Sequence, residues 1–123
     1  METNIKRFND LEAWKKGHVL VIDVYKVTKV FPREEIYGIV SQLRRAASSI
    51  TANIAEGFDR YHFNDKIRFY YQARGSVGEV QNFLFLANDL KLINQVIFSK
   101  LIEKTDEIRK LINGLIKSIE KQK

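Results

Sequence analysis

Hydrophobic residues recur at three- and four-residue spacing along most of the chain, which is the period of an amphipathic α-helix. The pattern predicts four helices, at about residues 10–30, 34–58, 64–90 and 95–121. No segment shows the sustained alternation and turn signals of β-strands. We therefore expect an all-α protein with one domain over residues 1–123, folded as an antiparallel up-down-up-down four-helix bundle.

Local signals support these helix limits. Asn9 or Asp10 is placed to cap the first helix. Pro32, followed by two glutamates, favours the start of the second helix near residues 33–34, because proline and acidic side chains both suit a first helical turn. Gly57 and Asp59 mark the end of that helix.

Each predicted helix has one apolar face that should form the core. The residues predicted to lie inward on the first helix are Leu11, Trp14, His18, Val21, Ile22 and Tyr25. Those on the second are Ile36, Ile39, Leu43, Ala46, Ala47, Ile50 and Ile54. Those on the third are Phe69, Ala73, Val77, Val80, Leu84 and Ala87, and those on the fourth are Ile97, Leu101, Ile108, Leu111, Ile112, Leu115 and Ile119.

A polar stripe runs beside the apolar face of the second helix. Its members, three or four residues apart, are Gln42, Arg45, Ser49, Asn53 and Glu56. At 100° per residue the two stripes adjoin, so polar side chains such as Ser49 and Asn53 should border the core.

The third helix offers a counterpart in the segment ARGSVGEV, residues 73–80. Ser76 falls within its apolar sector and Glu79 at the edge, while Gly75 and Gly78 leave room for a neighbouring helix. Since a glycine inside a helix costs about 1 kcal/mol relative to alanine, two of them suggest a packing role. We expect Ser49 near Ser76.

Two readings of the polar residues stay open. In both, Arg45 or Arg74 should pair with Glu56 or Glu79. A buried, hydrogen-bonded layer would fix how the helices align, because buried polar groups require partners. Alternatively, the same side chains form a groove for an anion or a nucleic-acid backbone.

A second apolar strip on the third helix consists of Ile67, Tyr71, Gly78 and Phe85. Because it points away from the core-facing residues, a neighbouring subunit in a homo-oligomer would bury it. The alternative is that a broad seam of the same bundle covers it.

The formal net charge is +6, with the positive excess in the two terminal segments. A basic surface favours polyanions such as RNA or DNA, although this charge also lies in the range that keeps small domains soluble. The candidate cations for nucleic-acid contact are Lys15, Lys16, Arg44, Lys100, Lys104 and Lys110.

The sequence contains no pattern that points to an enzyme, a cofactor or a metal. There is no cysteine and no phosphate-binding glycine loop, HExxH motif or nucleophile elbow. His18 and His62 are distant in sequence, and His18 fits a core position better than a ligand position. Glu56 and Glu79 could meet as an acid–base pair, but ion pairing with nearby arginines explains them more simply.

The N-terminal segment has no signal-peptide core, and no apolar run is long enough to cross a bilayer. We expect a soluble cytoplasmic protein with no membrane partner and no small-molecule substrate.

Long motifs resemble one known family. FNDLEAW at residues 8–14, YKVTKVFPREEIYGIVSQLRRAASSITANIAEGFDR at 25–60 and QARGSVGEV at 72–80 are similar to the 23S ribosomal RNA intervening-sequence proteins of bacteria. The resemblance implies a four-helix bundle that assembles into a homopentameric ring, with no catalytic activity and no established role. It also implies a relation to the accessory proteins of diversity-generating retroelements, which engage nucleic acid.

Two function hypotheses follow. The first is a homo-oligomeric, non-enzymatic nucleic-acid-binding protein. The second is a protein-interaction scaffold or accessory subunit that does not itself contact nucleic acid.

Overall fold

The structure is a computed structural model that describes residues 4–122. Four α-helices occupy this range: α1 (Glu12–Thr28), α2 (Ser41–Asp59), α3 (Phe63–Asp89) and α4 (Gln95–Gln122). Their positions confirm the all-α prediction, and no strand occurs between residues 4 and 122.

Neighbouring helices run in opposite directions, as the contacts between them demonstrate. For each pair of helices, two contacts are compared, and the residue number that rises on one helix falls on the other. The contacts are Gly17–Thr51 and Thr28–Arg44 for α1 and α2, Ser49–Ser76 and Gly57–Tyr70 for α2 and α3, Arg74–Asn113 and Gln81–Thr105 for α3 and α4, and Lys16–Glu107 and Asp23–Lys104 for α1 and α4. The four helices therefore form an antiparallel bundle in which α1 and α4 also adjoin.

The core comes from one face of each helix. Most of the inward positions predicted on α2, α3 and α4 are buried, and Leu43, Ile50, Val77, Leu84 and Ile112 are almost inaccessible. Burying aliphatic side chains of this size contributes roughly 1.5–3 kcal/mol each, which makes this core the main source of stability.

The predicted face of α1 was wrong. Its buried residues are Ala13, Gly17, Leu20, Val24 and Thr28. The predicted inward residues lie beside this face: Leu11, Trp14 and Val21 are partly buried, whereas His18, Ile22 and Tyr25 are exposed. Apolar residues cover more than one side of α1, so periodicity alone did not fix the side that packs inward.

The helix ends also differ in detail from the predictions. The Asp10 carboxylate accepts hydrogen bonds from the backbone N–H groups of Lys6 and Arg7, at 2.9 and 3.0 Å, and therefore caps a short 3₁₀ turn at Phe8–Asp10. These bonds stabilise the ionised carboxylate and lower the pKa of Asp10. The cap position of α1 itself belongs to Leu11, which has no capping side chain.

The predicted second helix is interrupted near its start. A 3₁₀ turn at Arg33–Glu35 leads into a π-helical turn at Ile36–Val40, and regular α2 begins only at Ser41. Gly38 has φ −109° and ψ −113°, which departs from helical geometry. At the start of α4, the Asn94 side chain accepts a hydrogen bond from the N–H of Ile97 at 2.8 Å and acts as its N-cap.

Candidate nucleic-acid interface

The predicted contact between Ser49 and Ser76 is present. The Ser76 hydroxyl donates to the Ser49 hydroxyl oxygen at 2.9 Å, and the Asn53 amide donates to the Ser49 hydroxyl and carbonyl oxygens at 3.0 and 2.9 Å. Ser76 is buried and the other two are partly buried. The three side chains thus satisfy one another between α2 and α3, as a structural layer requires.

One of the predicted ion pairs forms at the edge of this layer. Arg45 pairs with Glu79 and also donates to the side-chain oxygen of Gln42 at 3.1 Å. Glu56 pairs instead with Arg60 at 2.5 Å on its own helix. Arg74 donates to Asn113 of α4 at 2.8 Å.

Glu56 and Glu79 do not meet, so an acid–base pair between them is ruled out. Glu79 lies beside Arg45, and Glu56 is eleven residues further along α2. At 1.5 Å per residue the backbone positions of Arg45 and Glu56 are roughly 16 Å apart along α2.

The two glycines of α3, unlike Ser76, do not lie at a close approach to a neighbouring helix. A Cβ atom added to Gly75 would have no heavy atom within 4 Å, and one added to Gly78 would lie 3.8 Å from the guanidinium of Arg109. The tight contact is at Gly57, where an added Cβ would lie 2.8 Å from the ring of Tyr70 and 3.1 Å from the Cβ of Phe69. At Gly57, α2 and α3 therefore approach each other so closely that a larger residue would clash with α3.

A second polar network, between α3 and α4, was not predicted. The Gln81 amide donates to Thr105 at 2.9 Å and to Asp106 at 2.8 Å, and its oxygen accepts from Arg109 at 2.9 Å. Thr105 is fully buried and donates to the carbonyl oxygen of Ile102. The available signal was the position of Thr105, four residues after Leu101 on the inward face.

Both histidines pack against aromatic rings. The exposed His18 ring stacks on Trp14 with centroids 4.6 Å apart, and His62 packs edge-on against Tyr61 at 5.1 Å. Within the part of the chain that the structure describes, no three histidine or carboxylate side chains form a group that could hold a metal ion.

The residues of the second apolar strip on α3 do not form one exposed surface. Ile67 is 8% exposed and belongs to the bundle core, so it is not available to a neighbouring subunit. Gly78 faces Arg109 of the same chain. Tyr71 and Phe85 are roughly half exposed, and the Phe85 ring packs edge-on against Phe98 at 5.0 Å.

The six cations proposed from the sequence do not share one surface. Lys15 and Lys16 lie on α1 within 3.9 Å of Glu12 and 3.7 Å of Glu107, respectively. Lys104 pairs with Asp23, while Lys100 and Lys110 are exposed elsewhere on α4. Acidic partners thus offset the charge of three of the six.

Arg44 lies in a different setting, among cations that the sequence analysis did not select. Two adjoining depressions occur where α1 ends and α2 begins, and both are lined by Lys29 and Arg44. Lys26 completes the first and Arg33 the second. We call Lys26, Lys29, Arg33 and Arg44 the basic cluster.

The basic cluster has little local compensation. Glu34 and Glu35 follow Arg33 in the chain, yet among residues 4–122 no acidic side chain lines either depression. The sequence signal was the spacing of Lys26, Lys29 and Arg33, which are three and four residues apart.

Arg44 is held in place by the end of α1. Its Nε donates to the hydroxyl of Thr28 at 2.9 Å, and its guanidinium carbon lies 4.5 Å from the ring centroid of Tyr25. Thr28 is buried and donates in turn to the carbonyl oxygen of Val24 at 2.7 Å. The charge of Arg44 is therefore positioned before any partner binds.

The fold and these surfaces define an all-α four-helix bundle with hydrogen-bonded polar side chains between its helices and a cluster of four cations where α1 meets α2. No helix within residues 4–122 combines the length and apolarity needed to cross a membrane.

The chain belongs to the 23S rRNA-intervening sequence protein family, whose model matches residues 9–114. Its fold is similar to the crystal structure of a protein of unknown function from the S23 ribosomal protein family of Bacteroides thetaiotaomicron VPI-5482. That similarity has a TM-score of 0.79 at 23% identity, and it covers 85% of this chain and 95% of the other. No curated protein matches the sequence.

Proposed function

We propose that this protein is a non-enzymatic, homo-oligomeric nucleic-acid-binding protein that contacts the phosphate backbone through the basic cluster. The observation that carries this proposal is the gathering of Lys26, Lys29, Arg33 and Arg44 around two adjoining depressions that no acidic residue between positions 4 and 122 lines.

The physical basis is counterion release. Each phosphate that a lysine or arginine neutralises frees a condensed cation, so the affinity falls steeply as salt rises. With a net charge of +6, the whole chain attracts polyanions, but only a local cluster can fix where they bind.

The test is fluorescence anisotropy with labelled RNA and DNA oligonucleotides between 50 and 200 mM salt. We expect binding at low salt and a decline of roughly 10- to 100-fold or more over this range, depending on the number of phosphate contacts. The triple variant Lys26→Gln, Lys29→Gln, Arg33→Gln should bind more weakly and with a shallower salt dependence, by about 0.7–0.9 in the logarithmic slope for each lost contact.

A matched control carries the same change in charge on another surface. Lys110, Lys117 and Lys121 are exposed on α4, and their replacement by glutamine should leave most of the binding intact. An equal loss of affinity in both triple variants would mean that binding depends on the net charge of the protein and not on the basic cluster. No binding of RNA or DNA at 50 mM salt would refute the proposal.

Self-association is part of the same proposal, and a pentamer is the expected form. Large apolar side chains are exposed near the end of the bundle that carries the basic cluster, including Val30 at 82%, Tyr37 at 95% and Val96 at 63%. Burying such side chains between subunits would be favourable. Native mass spectrometry gives the copy number directly, and a monomer at micromolar concentration would contradict this part.

The same exposed side chains favour a second candidate, a scaffold for another protein. A partner retained on the immobilised protein after nuclease treatment and at high salt would support the scaffold. Loss of that partner on nuclease treatment would favour the nucleic-acid-binding function.

A further inference from the structure

We propose that the basic cluster binds an unpaired nucleotide, with the base stacked on Tyr25 and the adjoining phosphates on Arg44 and Lys29. The protein would accordingly prefer single-stranded nucleic acid, or an unpaired nucleotide in a bulge or loop, over a regular duplex. This inference rests on the proposed function and adds the form of nucleic acid that is recognised.

The first observation is that the first depression is apolar as well as basic. It has a volume of about 320 Å³, and Val21, Ile22 and Tyr25 line it together with Lys26, Lys29 and Arg44. A phosphate backbone needs only the cations. In a duplex the faces of the bases are already stacked on one another, so an aromatic and aliphatic wall suits a base that has left the stack.

The second observation is the setting of the Tyr25 ring. It is 46% exposed, and the guanidinium of Arg44 lies 4.5 Å from its centroid. Aromatic rings next to arginine are the usual stacking surfaces for single-stranded nucleic acid, since every base has a π-face. Because Thr28 holds Arg44 by a 2.9 Å hydrogen bond, the cation and the ring form one preorganised unit.

The third observation is that the binding surface continues beyond one nucleotide. The second depression, of about 290 Å³, shares Lys29 and Arg44 with the first and adds Arg33, Phe31 and Ile36. The chain of a bound strand can pass from one depression to the next along Lys29 and Arg44. A site for about two nucleotides results, and it combines the two features of single-strand binding surfaces, a ring on which a base can stack and cations along the backbone.

The experiment compares two 12-nucleotide probes at 50 mM salt by fluorescence anisotropy, a single strand and the blunt duplex of the same sequence. RNA and DNA versions are both titrated. We expect the single strand to bind at least fivefold more tightly than the duplex. Tyr25→Ala should weaken single-strand binding about 5- to 100-fold and leave duplex binding within twofold, whereas Tyr25→Phe should bind the single strand like the unaltered protein.

Tyr61→Ala is the matched control, because Tyr61 is 88% exposed and lies in the connection between α2 and α3, at the opposite end of the bundle. It should bind both probes normally. Circular dichroism of each variant verifies folding, which a change at the half-exposed Tyr25 should not disturb. Poly-aspartate as a competitor should displace the single strand poorly, since it offers charge without bases.

The outcomes separate this inference from the proposed function. Binding to both probes with equal affinity, or an unchanged single-strand affinity in Tyr25→Ala, would overturn the inference while leaving nucleic-acid binding in place. Efficient displacement by poly-aspartate would also overturn it and would point to an acidic protein segment. An absence of binding to either probe would refute the proposed function itself.

Discussion

A methyl group added at Gly57 tests the packing of α2 against α3 more directly than any other single change. In the Gly57→Ala variant the new Cβ would lie 2.8 and 3.0 Å from Cε1 and Cδ1 of the Tyr70 ring and 3.1 Å from the Cβ of Phe69. Neither neighbour is the free end of a flexible chain: Tyr70 is buried, and the Cβ of Phe69 is fixed to the backbone of α3. The two helices must therefore separate or the ring must move.

The expected magnitude is the balance of two effects. Overpacking a well-filled site typically costs about 1–3 kcal/mol. Alanine in a helix interior gains up to about 1 kcal/mol over glycine, and less near the end of a helix. Because Gly57 lies two residues before the end of α2, we expect Gly57→Ala to lower the free energy of unfolding by about 1–2 kcal/mol.

Gly75→Ala is the control for helix propensity alone. Gly75 lies inside α3, is exposed, and would place its Cβ in open space. This variant should raise the free energy of unfolding by up to about 1 kcal/mol. Opposite signs for the same chemical change at the two glycines would isolate the steric contribution at Gly57.

Urea denaturation followed by circular dichroism at 222 nm measures both variants. With a slope of about 1–3 kcal/mol per molar urea for a small protein, each kcal/mol moves the midpoint by roughly 0.3–1 M. Protein concentration must be held constant, because self-association would make the midpoint depend on it. A Gly57→Ala variant as stable as Gly75→Ala would refute the close approach of α2 and α3 at this point.

Three further predictions concern the buried polar groups. Burial raises the pKa of Tyr70 to about 12, from an unfolded value near 10. The folded state therefore binds the proton more tightly, so the free energy of unfolding should fall as pH rises from about 10 to 12. In urea titrations Tyr70→Phe should flatten this decline. In an ultraviolet absorbance titration it should remove the tyrosine that ionises at the highest pH. Thr105→Val should cost about 1–2 kcal/mol by removing one of the hydrogen bonds that Gln81 makes, and a change below about 0.3 kcal/mol would contradict this role. A double-mutant cycle of Ser49→Ala and Ser76→Ala should give a coupling energy of about 0.5–1.5 kcal/mol, whereas additive effects would argue against their hydrogen bond.

Of the polar contacts between helices, the sequence predicted the serine contact but left the partners of the charged residues open. The stripe on α2 predicted a meeting of Ser49 with Ser76, because Ser49 borders the core, Ser76 lies within the apolar sector of α3, and buried hydroxyls need partners. The charged residues had several equivalent choices in sequence. Only the helix packing paired Arg45 with Glu79 and turned Glu56 to Arg60.

The basic cluster depended on the tertiary structure still more. Lys26 lies in the last turn of α1 and Lys29 directly follows the helix, whereas Arg33 comes from the next turn and Arg44 from α2. Their proximity results from the reversal of the chain between α1 and α2. Conversely, Lys16 and Lys104 form ion pairs with Glu107 and Asp23 across the α1–α4 contact, which makes them weaker candidates for binding nucleic acid.

The sequence by itself determined the number of helices, their limits to within a few residues in most cases, and the core faces of α2, α3 and α4. It did so because a main apolar stripe at the helical period must be hidden from water, although on α3 the second strip also contributed Ile67 to the core. On α1 apolar residues cover several sides, so only contact with α2 and α4 decided that Gly17 and Leu20 face inward while Ile22 and Tyr25 stay exposed. Periodicity describes one helix at a time, and the side of a helix that meets a neighbour depends on the shape and charge of both.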